Sequence, residues 1–347
     1  MKAIVVRRTG PADVMCLEEV PAPPVRDRDV LIRVAACGVC FHDVVARNGV
    51  LRRGVEIPFI PGHEVAGTVV EIGRSVREFR PGDRVATLRR RHVCGQCRHC
   101  RGGHESSCAD RVMLGDAGLN GGYAEYVAAG ADTVARMPDG VPFAEAAIAS
   151  CAVGTMLHAV REVGRVRLGE TVLVTGAGGG LGIHGVQLAR RAGARVLALT
   201  TSPGKVAAIE EAGADLVIVG RRGEDASGRI REASGGVGVD VALDTVGTPV
   251  FASTRRSLAP GGRWVLIGQL TGEFVPFNPA QLFLRSLSLL SATSTTRDEL
   301  ASVLSLIARG DVMPRVAETL PLVDAALAHA ALESGRVLGR TVLLPAG

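Results

Sequence analysis

Lysine is nearly absent from this chain: Lys2 and Lys205 stand alone among 40 basic residues. Aromatic residues make up only 3%, with one tryptophan and two tyrosines, which excludes the stacking platform that holds single-stranded nucleic acid. The net charge of +5 is modest for 347 residues, and the one basic run, Arg89-Arg90-Arg91, reads as a solvated face. No apolar run reaches the roughly 18 residues of a membrane-spanning helix. Arg7-Arg8 follow the opening Met1-to-Val6 stretch at once, leaving no apolar core for a signal peptide. With neither feature, the cytoplasm is the expected location, and neither nucleic acid nor membrane is an expected partner. Disorder is excluded as well, since 47% of the residues are hydrophobic and 22% charged.

Glycine, by contrast, is abundant and organises the chain at one place. Thr171-Val172-Leu173-Val174 is a short β-branched, apolar run that predicts a buried parallel strand. Gly176, Gly178, Gly179, Gly180 and Gly182, with Leu181 among them, follow as a turn, and an apolar helical pattern runs from there to Gly193. Arg195 to Thr200 predicts the next strand. Strand, glycine turn, helix and strand form a nucleotide-binding βαβ unit, in which backbone N–H groups approach a pyrophosphate at a helix N-terminus. An NAD-binding unit ends its second strand on a carboxylate that holds the ribose 2′-OH. Here that place holds Thr200, Thr201 and Ser202, with Lys205 just behind. Hydroxyls and a cation suit a 2′-phosphate, so NADP(H) is expected over NAD(H).

The length allows two domains. The first part reads as a compact β-barrel: Lys2–Val6, Val30–Ala35 and Gly67–Ile72 are strand-like runs punctuated by proline and glycine. Eight cysteines without a secretion signal point to metal ligands or thiols rather than disulfides. Cys94, Cys97, Cys100 and Cys108, at gaps of two, two and seven residues, suit a closed tetrahedral zinc site, with an iron–sulfur cluster or a redox pair as rivals. His99 and His104 are expected in solvent, and Cys16 and Cys37 as buried thiols. Cys40, His63, Glu64 and Cys151 are further potential ligands, whose spacing alone does not show that they meet. From about 154 to 290 the pattern is repeated βα, with strands near 171–175, 194–200, 215–219, 239–244, 263–268 and 287–291. Thr296 to Arg309 predicts a helix. Thr245-Val246 and Ile267-Gly268 follow strand ends and are expected to line the cofactor.

These motifs together carry a resemblance. GVCFHD at the first cysteine, PGHEVAGTVVEIG, the four-cysteine lobe, GGYAEYV at 121–127, Cys151 with Thr155 after it and the glycine turn resemble the zinc-containing alcohol dehydrogenase family of the medium-chain dehydrogenase/reductase superfamily over essentially the whole length. The resemblance implies an α/β architecture: a GroES-like β-barrel catalytic domain plus a Rossmann doubly wound parallel sheet. The expected bounds are 1–153 for the catalytic domain, with a structural zinc lobe at about 92–110. The NADP(H)-binding domain is expected at 154–291, and 292–347 returns to the first. By resemblance, Cys40, His63 and Cys151 hold a catalytic zinc, Glu64 can take its fourth position, Asp43 orients His63, and the four-cysteine lobe holds a structural zinc. Thr155 would lie near the nicotinamide, and Phe41, His42, Leu51, Phe59 and Leu114 near the substrate. Substrate and nicotinamide would meet in a cleft between the domains.

The implied reaction is hydride transfer between NADP(H) and an alcohol, aldehyde or ketone. The sequence departs from that pattern at one point: His42 stands where alcohol dehydrogenases carry a serine or threonine, and Val45 where many carry histidine. The usual hydroxyl-to-histidine relay is therefore missing, and His42 is either a lone proton shuttle or has a structural or cofactor-facing role. Phe41-His42-Asp43-Val44, the glycine turn and LDTVGTPVF are instead similar to enoyl reductases of the superfamily, especially zinc-bearing acryloyl-CoA reductases. Reduction of a conjugated C=C bond is therefore the alternative, and a non-catalytic NADPH-binding protein a more distant one. A small-molecule substrate and a homodimer or homotetramer are expected, with the strand Ser286–Ser291 as an exposed sheet edge.

Overall fold

The computed structural model describes residues 1–51 and 54–345. They divide into two compact units, Met1–Gly154 with Ser294–Gly347, and Thr155–Thr293. No helix among the described residues is long and apolar enough to cross a membrane.

The first unit is the GroES-like one. A seven-stranded sheet and a four-stranded sheet, both largely antiparallel, enclose a single apolar core. Two pairings within it decide where the chemistry sits. Strand Asp29–Gly38 runs antiparallel to Glu64–Ile72 with Gly38 opposite Glu64. It also runs antiparallel to Arg340–Leu344, with Gly38 opposite Val342. Cys40 leaves the end of the first strand, His63 precedes the start of the second, and Arg340 opens the third. The register therefore delivers residues 300 positions apart to one end of the sheet.

Several sequence expectations change here. Phe59 and Leu114 are fully buried among the barrel core residues rather than lining a pocket, because the strand Glu56–Phe59 pairs at Phe59 with Val6 of the inner strand Lys2–Val6. Leu51 packs against the same core. Arg89-Arg90-Arg91 is not a solvated face: Arg90 is buried, held by Ser294 Oγ at 2.7 Å and by the carbonyl of Thr295 at 2.5 Å. Cys37 is buried as expected, but Cys16 is exposed, because its strand, Met15–Glu19, is an outer strand of the four-stranded sheet and buries only Met15.

The second unit is a six-stranded parallel sheet. Its strands are Thr171–Thr175, Arg195–Thr200, Leu216–Val219, Val239–Asp244, Leu258–Leu266 and Ser288–Ser291. Taken in chain order they lie third, second, first, fourth, fifth, sixth across the sheet, all parallel. This is the doubly wound order, whose reversal falls between the first and fourth strands. The inner strands Thr171–Thr175, Arg195–Thr200 and Val239–Asp244 are buried, as expected where helices cover both faces of a parallel sheet, whereas the edge strands Leu216–Val219 and Ser288–Ser291 are more exposed. The only tryptophan, Trp264, is buried there and donates its Nε1–H to Asp244 Oδ2 at 3.1 Å.

Candidate metal and cofactor sites

Each element at the barrel end places its side chain for a local reason. Cys40 is the N-cap of helix Phe41–Arg47, and Asp43 at the third helical position accepts from the Cys40 backbone N–H at 3.0 Å while the Cys40 sulfur faces the Asp43 backbone N–H. This reciprocal capping fixes the thiol and the carboxylate together. Gly62 has φ +98°, and a Cβ there would strike the Tyr123 ring at 2.5 Å, so only glycine lets the chain turn tightly into His63. Cys151 lies in a π-helical segment, Ala149–Gly154, a wide-turn form that is rare and often marks functional positions.

The ligand atoms of Cys40, His63, Glu64 and Cys151 all lie within 4.8 Å of one another. The Cys40 and Cys151 sulfurs are 4.0 Å apart, far beyond a disulfide bond. A tetrahedral ion with zinc–sulfur bonds of about 2.3 Å spaces its sulfurs by about 3.8 Å. His63 Nδ1 is 3.1 Å from Asp43 Oδ1, whereas the buried Nε2 has no hydrogen-bond partner. An imidazole with one nitrogen committed to a carboxylate and the other orphaned beside two thiols fits a metal ligand. The donor set of two sulfurs, one nitrogen and a carboxylate suits zinc.

The electrostatics are those of a buried anionic cluster offset by one cation. The Arg340 guanidinium donates to Cys40 Sγ at 3.3 Å and to Cys151 Sγ at 4.0 Å. It also forms an ion pair with Glu64 Oε1 at 2.9 Å, at an angle outside hydrogen-bond geometry. Burial pushes Glu64 up to about 7 against the opposing pull of Arg340. For His63, burial works against the charged form, but Asp43 and Cys40 outweigh it and push the imidazole up to about 10. Hydrogen bonding from the Cys151 thiol holds Cys40 well below the ordinary thiol range. Two thiolates, one carboxylate, Arg340 and a divalent ion together form a neutral set.

His42 lies edge-on to His63 with ring centroids 5.3 Å apart. Its Nε2 is 2.6 Å from Asp116 Oδ1, and Arg89 Nη2 is 3.0 Å from each ring nitrogen. Arg340, Asp116 and Arg89 are site residues that the sequence reading missed. No local pattern marks them, since each is brought in by sheet register or by a loop.

The second cluster, Cys94, Cys97, Cys100 and Cys108, also has its sulfurs within 4.8 Å, with pairs at 3.6 and 3.9 Å. Backbone N–H groups of Cys94, Cys97 and Cys100 point at the sulfurs of Cys108, Cys94 and Cys97 at 3.3 to 3.5 Å. Such bonds stabilise thiolates and fit a closed zinc site. His104 is exposed and His99 half-buried, outside the sulfur cluster. Glu105, in the same lobe, is buried. It accepts from the backbone of Arg297 at 2.6 Å and lies 3.6 Å from Arg90.

In the second unit the glycine turn follows strand Thr171–Thr175 and opens helix Gly182–Arg191. A Cβ on Gly182 would come within 2.2 Å of the Gly176 carbonyl, so the turn closes only with glycine there. Thr245 Oγ1 donates to the Thr175 carbonyl at 2.7 Å, and the backbone of Ile267 and Gly268 donates to that of Asp244. Val246 N donates to Asp244 Oδ1 at 3.0 Å. Gly176, Thr245, Val246, Ile267 and Gly268 thus share the carboxyl ends of neighbouring strands, where a dinucleotide binds in such sheets. Thr155 is buried at the start of helix Thr155–His158. Thr200 is buried and its hydroxyl accepts from Ser202 N at 3.2 Å, so it shapes the turn. Thr201 is exposed, and the stem of Lys205 lies against Gly178, where an added Cβ would meet Lys205 Cδ at 2.6 Å. No carboxylate stands at Thr200, Thr201 or Ser202.

The comparisons agree with this geometry. Residues 26–139 match the family described as alcohol dehydrogenase GroES-like domain, and residues 180–309 match zinc-binding dehydrogenase. An acryloyl-coenzyme A reductase of Sulfurisphaera tokodaii is 34% identical over 346 residues, covering 99% of this chain and 100% of that protein. An alcohol dehydrogenase of Geobacillus stearothermophilus is 35% identical over 343 residues, covering 99% of each. A crystal structure of AibC superposes with a TM-score of 0.91 at 46% identity, covering 100% of this chain and 96% of that one.

Proposed function

This chain belongs to the zinc-containing alcohol dehydrogenase family of medium-chain dehydrogenases/reductases, and on that premise we propose that it uses NADPH to reduce the C=C bond of an α,β-unsaturated acyl thioester. The observation that carries this reading is the surroundings of His42. Carbonyl reduction must place a proton on oxygen, whereas C=C reduction places hydride on the β-carbon and a proton on the α-carbon. The position from which alcohol dehydrogenases pass a proton to oxygen holds no hydroxyl here. His42 stands there instead, with Nε2 committed to Asp116 at 2.6 Å and Arg89 at 3.0 Å from both nitrogens. The site is thus built to polarise an oxygen and leave it unprotonated. An acryloyl-coenzyme A reductase among the relatives supports a thioester as the acceptor.

Zinc held by Cys40, His63 and Cys151, with Glu64 able to take a fourth position, would supply Lewis acidity toward a carbonyl oxygen, and NADPH would supply the hydride. Arg340 offsets the charge of the two thiols and Glu64, and Asp43 keeps His63 in the tautomer whose Nε2 is open. Lys205, Thr201 and the turn at Ser202 favour the 2′-phosphate of NADPH over NADH.

The second reading is reduction of an aldehyde or ketone, or the reverse oxidation of an alcohol. The complete ligand cluster with the Glu64–Arg340 pair favours it, because C=C reduction does not require a metal. A homodimer or homotetramer in the cytoplasm completes the proposal: the edge strand Ser288–Ser291 exposes Leu289, and Phe283 and Leu284 beside it are exposed as well. Steady-state oxidation of NADPH by the purified protein separates the two reactions. Turnover of acryloyl- or crotonyl-thioesters at a kcat/KM at least about a hundredfold above that of saturated aldehydes and ketones is the expected result, a gap of about 2.7 kcal/mol in transition-state binding. The reverse ranking contradicts the proposal.

A further inference from the structure

A buried file of hydrogen-bonding side chains runs from His63 away from the cluster of thiols. Asp43 Oδ1 is 3.1 Å from His63 Nδ1, and the Tyr123 hydroxyl donates to Asp43 Oδ2 at 3.3 Å. The same hydroxyl oxygen is 3.0 Å from His329 Nε2. His329 Nδ1 is 3.3 Å from Arg47 Nη1, and Arg47 Nη2 reaches Glu333 Oε1 at 2.8 Å. From His63 through Arg47 no member is more than 1% exposed, and Glu333 brings the file to the surface. Four separate segments contribute: the turn at His63, helix Phe41–Arg47, the segment around Tyr123 and helix Ala325–Glu333.

The direction of every bond in this file is fixed by its far end. Arg47 has no acceptor and always carries its protons, so His329 Nδ1 must accept. Burial holds His329 down to about 4, so the ring is neutral and its one proton sits on Nε2. His329 Nε2 therefore donates to the Tyr123 oxygen, and the Tyr123 hydroxyl proton can only point to Asp43. Asp43 Oδ2 then accepts from Tyr123 and from the Cys40 backbone at 3.0 Å, and Oδ1 from the Gly62 backbone at 3.3 Å, which holds Oδ1 at 3.1 Å from His63 Nδ1. With Nδ1 committed to Asp43, Nε2 is the His63 nitrogen left toward the thiols, without a hydrogen-bond partner. The ring of Tyr123 also packs edge-on to that of His329, with centroids 5.8 Å apart.

We infer that Tyr123 and His329, set by Arg47, are positioning residues for the metal: they hold Asp43 and thereby the metal-binding tautomer of His63. The inference rests on the reading of Cys40, His63 and Cys151 as metal ligands. The role belongs to the side-chain hydrogen bonds, so it is separable from packing. Tyr123→Phe removes one hydroxyl. His329→Leu removes both bonding nitrogens, whereas His329→Gln keeps one donor and one acceptor at similar reach.

The test uses the full chain loaded with zinc or cobalt, metal affinity being read at each site by chelator competition and the cobalt–thiolate absorption of the mixed cysteine–histidine site being recorded. Y123F and H329L are expected to bind metal at that site about tenfold more weakly, at the low end of the cost of altering groups behind metal ligands. Their cobalt spectrum should shift, the four-cysteine site should be unaffected, and H329Q should recover most of the affinity. Wild-type affinity and spectrum in Y123F and H329L overturn the inference, as does equal loss from both sites. Should H329L not fold, Y123F decides, since it leaves the ring packing in place. Metal at the four-cysteine site alone in the wild type would overturn the ligand reading itself.

Discussion

Lys205 is one of two lysines in 347 residues, and its stem lies on the glycine turn at Gly178. A flexible point charge there gives the proposed preference for a 2′-phosphate a single-residue test. Lys205→Ala should raise the KM for NADPH by about tenfold, in line with loss of one charge-assisted contact, while the NADH value stays put. Equal effects on both cofactors, measured as kcat/KM, would assign Lys205 a structural role. At this scale the cysteines and His63 that cluster in space stand out in the sequence, because each sits in a local motif. Arg340 was not: it is an arginine in an ordinary context until the register of strand Arg340–Leu344 against Asp29–Gly38 brings it within 3.3 Å of Cys40 Sγ. Asp116 and Arg89 escaped for the same reason, and with them the surroundings of His42.

Elements were legible where periodicity and punctuation agreed. The six parallel strands lie within a few residues of their expected places, except that Leu258–Leu266 begins well before the expected 263 and runs through Pro260-Gly261-Gly262. Helix Arg297–Ala308 begins at Thr296 as expected, with Glu299 completing a capping box. The π-helical form around Cys151 left no trace in the sequence, because hydrophobic spacing over six residues does not separate π from α geometry. The four-cysteine lobe also anchors a neighbouring helix. Glu105 grips the first turn of helix Arg297–Ala308 and faces the buried Arg90, which itself holds Ser294 and Thr295. Glu105→Gln leaves the Arg90 charge buried without its carboxylate. It should lower unfolding stability by about 3 kcal/mol, the low end for breaking a buried pair, with four-cysteine metal content unchanged. A denaturation midpoint equal to wild type would show that the lobe is only tethered there.

Across the whole molecule the chemistry is divided between the two units. The candidate metal ligands and Arg340 belong to the unit built from Met1–Gly154 and Ser294–Gly347, and the glycine turn to Thr155–Thr293. The family was legible from end to end of the chain, but the reaction was not, because both branches of the family share this scaffold and differ in where one proton goes. The most direct measurement follows that difference. NADPH deuterated at the transferable position is supplied with a conjugated ketone or enoyl thioester, and the product is examined by NMR. Deuterium on the β-carbon of a saturated carbonyl product is the predicted result. Deuterium on a carbinol carbon, with the C=C bond intact, would contradict the account and return the protein to carbonyl and alcohol chemistry.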